Sequence, residues 1–325
     1  MKTLLLGFDE ETFTAAQLEK IKAAIGDEYR LLQTIDRDEI ERQLDEIEIA
    51  AGGGLPLDMI PKARNLRWLQ QWHAGTDWLL KHPKVRQHDF ILTNASGVHA
   101  IPISEHIFAL LLALGRNLPQ AILAQDQHTW LRSGIDRDTT IFELANKTMI
   151  LIGVGAIGAR VAAIGAAMGM QIIGVRRDPS QTVPHVERTV GPDQLLEVLP
   201  EGDFVVLTVP LTEETHGLID AAAFAAMKST AYLVNIGRGK TIVADDLIRA
   251  LREGQIAGAG LDVTDPEPLP EESPLWGLEN VIITAHYAGL TPHYTERALD
   301  IFLDNLARYR AGEALQNVVD KKRGY

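Results

Sequence analysis

Three side chains of complementary chemistry, Arg238, Glu267 and His286, each follow a short apolar run of the kind that forms a buried strand, at residues 231–236, 256–262 and 281–284. An arginine can hold a carboxylate in a two-pronged, charge-assisted fork. A histidine can give a proton to a carbonyl oxygen as hydride reaches the carbon, and take it back in reverse. A carboxylate paired with that histidine stabilises its charged form. The three together are the set needed to interconvert a 2-oxo acid and a 2-hydroxy acid. In an open parallel sheet, ligands bind outside the carboxyl ends of the strands, which is where all three are expected. Singly, each has a plainer role: Arg238 as a surface residue of a Gly-Arg-Gly turn, Glu267 as a solvated loop carboxylate, His286 as a cap on a carbonyl. Their common placement joins them.

Such chemistry needs a hydride donor, and the run Ile150-Leu-Ile-Gly153-Val-Gly155-Ala156-Ile157-Gly158 reads as its binding turn. An apolar β run, 148–152, precedes it, and an alanine-rich helical pattern, 157–168, follows. Gly153 makes the tight turn, Gly155 lets backbone approach a pyrophosphate, and Gly158 lets the helix pack close. The free N–H groups and positive dipole end of that helix then face the phosphates.

The elements that must position these groups form two α/β blocks. Residues 1–97 alternate strand-like runs (4–8, 29–33, 47–51, 68–72 and 90–93) with helical patterns, the first of them carrying a capping box, Thr14-x-x-Gln17, and a Gly26 stop. One long helix is expected over 104–127, entered past Pro102. Six further β runs, 148–153, 171–176, 204–209, 231–236, 256–262 and 281–284, alternate with helices, the layout of a full dinucleotide-binding domain. A helix over 294–309, with Leu299, Phe302, Leu303 and Leu306 inward, leads to a strand-like tail at 315–319. The expected domains are 1–97 with 291–325, for substrate, and 98–290, for dinucleotide, with a cleft between them and hinges near 94–102 and 285–292.

Bulk properties narrow the partners. The 325-residue chain is 46% hydrophobic and 23% charged, the composition of a globular protein. A net charge of −13 argues against nucleic acid or an anionic membrane as a partner. With no cysteine there is no disulfide, thiolate metal site or thiol nucleophile. The N-terminal apolar run is too short for a signal peptide, and 107–115 is far below the ~20 residues of a membrane helix, so a cytoplasmic location is expected by default. Neither His99 with His106 nor His286 with His293 has metal-ligand spacing, and no metal is expected; core, cap or surface roles suit the remaining histidines. Ser133 and Ser229 show no nucleophile elbow.

The motifs quoted, with Val209-Pro210-Leu-Thr-Glu-Glu-Thr215, Val234-Asn-Ile236-Gly237-Arg238-Gly-Lys240, Gly260-Leu-Asp262-Val-Thr-Asp-Pro-Glu267-Pro-Leu-Pro and Ile283-Thr-Ala-His286-Tyr-Ala-Gly289, resemble the D-isomer-specific 2-hydroxyacid dehydrogenases over nearly the whole chain. The resemblance implies a flavodoxin-like substrate domain and a Rossmann nucleotide domain, both doubly wound parallel sheets. It makes Arg238, Glu267 and His286 the catalytic arginine, acid and histidine. It places Gly153, Gly155, Ala156, Ile157, Gly158, Val209, Pro210, Thr215, Ile236 and Gly237 against the cofactor, and Asp262 against the nicotinamide carboxamide. It also implies a homodimer joined through the region 104–142.

Two details depend on this alignment. Arg176, followed by Arg177, stands where an acid normally accepts the adenosine ribose hydroxyls of NAD. Arginines there can bind the 2′-phosphate of NADP, so NADP is favoured over NAD, and Asp178 is expected to point away. In the substrate domain, Ala74 and Gly75 of Trp72-His-Ala-Gly-Thr76 occupy the place where backbone N–H groups meet the substrate carboxylate. Gly53, in Gly52-Gly-Gly54, looks like the second substrate loop. Trp72, Trp78 and Trp130 suit core or interface better than a pocket.

The segment Asp262-Val-Thr-Asp-Pro-Glu267-Pro-Leu-Pro is most like the glyoxylate/hydroxypyruvate reductase branch, so the expected substrate is a small 2-oxo acid of that kind. Two other readings stand beside it. One is a dinucleotide-sensing binding protein or corepressor on the same fold, against which the complete Arg, Glu and His set counts. The other is a dehydrogenase for formate or phosphite; glutamine beside the histidine is expected for formate, while phosphite enzymes keep the acid.

Overall fold

In the computed structural model, which describes residues 2–131 and 141–323, the chain divides into two compact units, Met1–Val98 with Thr291–Tyr325, and His99–Leu290. Ser133 and residues 132–140 of the expected dimer region lie outside the described residues.

The first unit is built on a five-stranded sheet. Its strands β1 (Lys2–Gly7), β2 (Tyr29–Gln33), β3 (Ile47–Gly52), β4 (Trp68–Gln70) and β5 (Ile91–Thr93) lie in the order β2-β1-β3-β4-β5, every pair parallel. A parallel sheet covered on both faces needs apolar side chains on both, and Leu4, Leu5 and Leu6 of β1 are all fully buried. The helix Ala15–Ile25 starts with the expected capping box between Thr14 and Gln17 and stops at Gly26, whose φ of 59° few other residues adopt. The helix Tyr294–Ala311 packs Ala298, Leu299, Phe302 and Leu306 into the same core. Trp68 stacks there against Phe302 and Tyr309. The tail forms no full strand, only a bridge from Val318 to Thr93.

The second unit holds a seven-stranded sheet, also all parallel. Strands β6 (Thr148–Ile152), β7 (Gln171–Val175), β8 (Arg188–Val190), β9 (Phe204–Leu207), β10 (Tyr232–Asn235), β11 (Gly258–Leu261) and β12 (Val281–Ile283) lie in the order β12-β11-β10-β9-β6-β7-β8. The order reverses between β6 and β9, and a reversal opens a crevice at the carboxyl ends of the two strands. The six expected strands all form. The seventh, β8, is only three residues long with Val190 alone buried, too little to read as a β run.

The expected single helix over 104–127 is two helices, Ala100–Gly115 and Leu118–Asp126. Asn117 between them takes a left-handed φ of 54°, and Pro119 sits in the first turn of the second helix. Pro102 lies inside the first turn of the first helix rather than ahead of it. Among the described residues no single helix is long and apolar enough to cross a membrane.

Candidate active site and cofactor cradle

The glycine turn leaves β6 for the helix Ala156–Ala167. Gly153 has φ +94°, and a Cβ there would press on Val209. A Cβ on Gly158 would lie 2.3 Å from the Gly153 carbonyl oxygen, so glycine is needed for the helix to sit on its own turn. A Cβ on Gly155 would meet nothing within 4 Å. Two glycines thus serve the fold, and the middle one faces open space. The helix that starts there has no side-chain cap, so the N–H groups of its first turn, Ala156 and Ile157 among them, are left for a ligand. Open backbone beside an uncapped helix end fits a dinucleotide pyrophosphate. Thr208, which the sequence did not single out, closes the turn by donating from Oγ1 to the Gly153 carbonyl at 2.6 Å.

The remaining residues expected on the cofactor side line the same carboxyl edge. Val209 and Pro210 follow β9, and Thr215 Oγ1 donates to the Pro210 carbonyl at 2.7 Å, shaping the loop between them. Ile236 and Gly237 follow β10; a Cβ on Gly237 would come within 2.7 Å of the Val209 carbonyl oxygen. At the end of β7, the half-buried Arg176 donates from Nη2 to Gln181 Oε1 at 2.8 Å, and Arg177 is exposed. Asp178 is occupied within its own loop, accepting from Ser180 Oγ, Ser180 N and Gln181 Nε2. Those bonds, that from the Ser180 hydroxyl foremost, hold its carboxyl below the usual range.

Arg238 sits three residues past β10, its turn pinned from below by Asn235. That buried amide accepts from Gly237 N at 3.0 Å and donates to the Arg238 carbonyl at 3.0 Å. The guanidinium donates from Nη1 to the Gly237 carbonyl at 2.8 Å. Glu267 and His286 meet directly: Glu267 Oε1 lies 2.9 Å from His286 Nδ1, and both side chains are about half exposed (40% and 48%). An ionised carboxylate can only accept, so Nδ1 carries the proton of this bond. His286 itself has φ 53°, unusual for a residue with a Cβ.

Asp262, 2% exposed, directly follows β11 and gathers the chain around that histidine. Its carbonyl accepts from His286 N at 2.8 Å. Its carboxylate accepts from Tyr287 N and Ala288 N, each at 3.1 Å, and from Thr284 Oγ1 at 2.5 Å. The sequence identified Asp262 but neither Thr284, Asn235 nor the hydrogen bonds that tie them in. His99 Nδ1 meets the Gly289 carbonyl at 3.1 Å, a cap-like role. Among the described residues no group of three or more His, Asp or Glu could hold a metal ion.

The substrate-domain candidates belong to the first unit, at the carboxyl edge of its own sheet. In the Gly52-Gly53-Gly54 turn after β3, a Cβ on Gly52 would strike the Phe8 ring and one on Gly54 the backbone of Gly7. Gly53 alone has nothing within 4 Å. After β4, the Ala74 carbonyl accepts from Asn94 Nδ2 at 2.8 Å, and the Gly75 carbonyl from Gln71 Nε2. Among the described residues, neither the Ala74 nor the Gly75 N–H donates a hydrogen bond. Trp72 is buried against Phe8 and Phe13, Trp78 donates to Gln71, and Trp130, expected in core or interface, is 89% exposed in the single chain.

With this geometry in hand, the likeness to known proteins is specific. Residues 108–288 match the sequence model of the D-isomer specific 2-hydroxyacid dehydrogenase NAD binding domain. A glyoxylate reductase of Korarchaeum cryptofilum is 34% identical over 272 residues, covering 82% of this chain and 80% of that protein. A D-isomer specific 2-hydroxyacid dehydrogenase family protein from Aeromonas salmonicida superposes with a TM-score of 0.82 at 32% identity, over 98% of this chain and 99% of that one. An NADPH-dependent glyoxylate/hydroxypyruvate reductase from Sinorhizobium meliloti, solved with NADP and sulfate, superposes with a TM-score of 0.81 at 28% identity over the whole of both chains. A two-sheet α/β fold, a dinucleotide turn at the switch point and this breadth of likeness agree: the chain is an NAD(P)-dependent oxidoreductase belonging to the D-isomer specific 2-hydroxyacid dehydrogenase family.

Proposed function

We propose that the protein reduces a small 2-oxo acid of the glyoxylate/hydroxypyruvate type to the D-2-hydroxy acid, with NADPH preferred to NADH. The observation that carries this reading is the His286–Glu267 pair, at 2.9 Å, on the same sheet edge as Arg238. The strands that lead to the three residues, β10, β11 and β12, are consecutive neighbours, which supports their acting on one substrate.

Arg238 binds the substrate carboxylate, and within the first unit the N–H groups of Ala74 and Gly75 are the candidates for substrate contact. Gly53, with open space where a side chain would be, leaves room for the rest of the acid. NAD(P)H, when bound, supplies the hydride that converts the 2-oxo carbon to the 2-hydroxy carbon. His286 gives its Nε2 proton to the carbonyl oxygen, and Glu267 holds the ring in the required tautomer and stabilises the charge before transfer. The turn at Gly153, Gly155, Ala156, Ile157 and Gly158 binds the pyrophosphate, with Val209, Pro210, Thr215, Ile236 and Gly237 along the cofactor. Asp262 Oδ2 accepts from Ala288 N, which leaves capacity for the carboxamide.

Arg176 and Arg177 support NADPH: two positive side chains stand at the end of β7, and Asp178 is engaged by its own loop. The Sinorhizobium meliloti structure, named as NADPH-dependent, points the same way. A homodimer is part of this reading; Leu118, Ile122, Leu123 and Trp130 are exposed apolar residues within the region 104–142, and the mass in solution tests it.

The test is to follow cofactor absorbance with NADPH or NADH as glyoxylate, hydroxypyruvate, pyruvate and phenylpyruvate are added in turn. Oxidation mainly of NADPH, by glyoxylate and hydroxypyruvate, is expected. Cofactor binding without reduction of any acid would overturn the reading.

A further inference from the structure

His106 stands outside the set of residues that meet substrate or cofactor, yet it is wired to that set. It lies on the helix Ala100–Gly115, and its side chain is only 16% exposed. His106 Nε2 is 3.0 Å from Thr284 Oγ1, whereas Asp262 Oδ1, at 3.7 Å, is beyond hydrogen-bond reach. Thr284 Oγ1 has one proton and gives it to Asp262 Oδ1 at 2.5 Å. The hydroxyl can therefore only accept from His106, which fixes the proton on Nε2 and the direction of the chain: imidazole N–H to hydroxyl, hydroxyl to carboxylate. The Tyr287 ring stands edge-on to the same imidazole, centroids 5.5 Å apart.

What this chain holds is the segment that carries His286. Asp262 collects three successive backbone N–H groups, of His286 on its carbonyl and of Tyr287 and Ala288 on its carboxylate. The start of that segment is strained, since His286 has φ 53°, and a left-handed conformation in a residue with a Cβ persists only where its surroundings over-determine it. The Asp262 carboxylate can do this only if its own orientation is set. Thr284 sets Oδ1, and the donor that leaves the Thr284 proton no other direction is His106.

We propose that His106 is a positioning residue for proton transfer, acting through Thr284 and Asp262 to keep the left-handed turn of His286 in register. This rests on the reading of His286 as the proton donor. Removing the His106 donor frees the Thr284 hydroxyl to rotate, loosens the carboxylate and lets the His286 imidazole wander from its working position.

The experiment compares His106→Leu with His106→Gln, whose amide nitrogen can take the place of Nε2, each alone and in a His286→Ala background. His106→Leu is expected to lower kcat about 10- to 100-fold, as a small misplacement of a reacting group does, with KM and Tm nearly unchanged. His106→Gln should recover most of that loss. In the His286→Ala background, His106→Leu should cost nothing further, because the group it positions is gone. Equal loss in both His106 variants, a loss that tracks Tm, or a full further loss without His286 would each overturn the proposal. If His286→Ala itself retains turnover, the reading of His286 fails; if it is inactive while His106→Leu is fully active, only the present inference fails.

Discussion

Gly239 stands so close to Thr264 that a Cβ on it would lie 1.8 Å from the Thr264 carbonyl oxygen. The turn that presents Arg238 and the loop that leads to Glu267 are therefore in backbone contact, and neither can move without the other. Backbone cannot step aside as a flexible side chain can. Gly239→Ala should force the loop outward, destabilise the protein by about 1–3 kcal/mol and lower kcat/KM far more than that fold damage explains. Thermal unfolding beside steady-state kinetics checks this; wild-type kinetics would show that the contact does not set the site.

Glu267→Gln keeps an acceptor for His286 Nδ1 but removes the charge. A hydrogen bond to a charged group is worth about 1.5–3 kcal/mol, and half-exposure puts this one at the lower end. The expected result is a kcat about 10-fold lower with cofactor affinity unchanged, read from steady-state kinetics and cofactor titration. An unaltered kcat would remove Glu267 from the mechanism.

Arg176→Asp places an acid at the end of β7 where ribose hydroxyls are expected. Loss of one charge-assisted contact to a 2′-phosphate corresponds to about a 10- to 100-fold fall in kcat/KM with NADPH, while NADH should be used as well or better. Equal losses with both cofactors would mean that Arg176 does not read the phosphate.

Tyr294 gives a pH-dependent prediction for the Trp72–Thr76 loop. Its hydroxyl donates to the Trp72 carbonyl at 2.8 Å, and burial pushes its pKa up to about 12. An unfolded tyrosine ionises near pH 10. Above that pH the unfolded chain releases a proton that the folded chain keeps, so this contribution is full below pH ~10 and is lost as pH rises toward about 12. Tyr294→Phe should lose about 1 kcal/mol at neutral pH and flatten the alkaline fall in stability. Denaturant unfolding across pH checks both; an unchanged alkaline profile would contradict the assignment.

The parts of this molecule that can be read from sequence are those whose physics is local. The Thr14–Gln17 capping box, the Gly153 turn and the fully apolar β runs announce themselves within a few residues. The break at Asn117 was hidden because apolar periodicity continues across it, and β8 because three residues carry no pattern. His106, Thr284, Asn235 and Thr208 are ordinary polar residues in sequence. His106 and Thr284 take their meaning from each other, 178 residues apart, and Thr208 from Gly153, 55 residues away; only the fold brings those together, while the bonds of Asn235 to Gly237 and Arg238 are local but follow no sequence pattern.

The most direct test of the central claim is turnover and cofactor affinity of His286→Ala, measured side by side. Loss of the proton donor should lower kcat by about 10²- to 10⁴-fold, while NADPH still binds with nearly wild-type affinity. Retained turnover, or a collapse of cofactor binding in its place, would contradict the role given to His286.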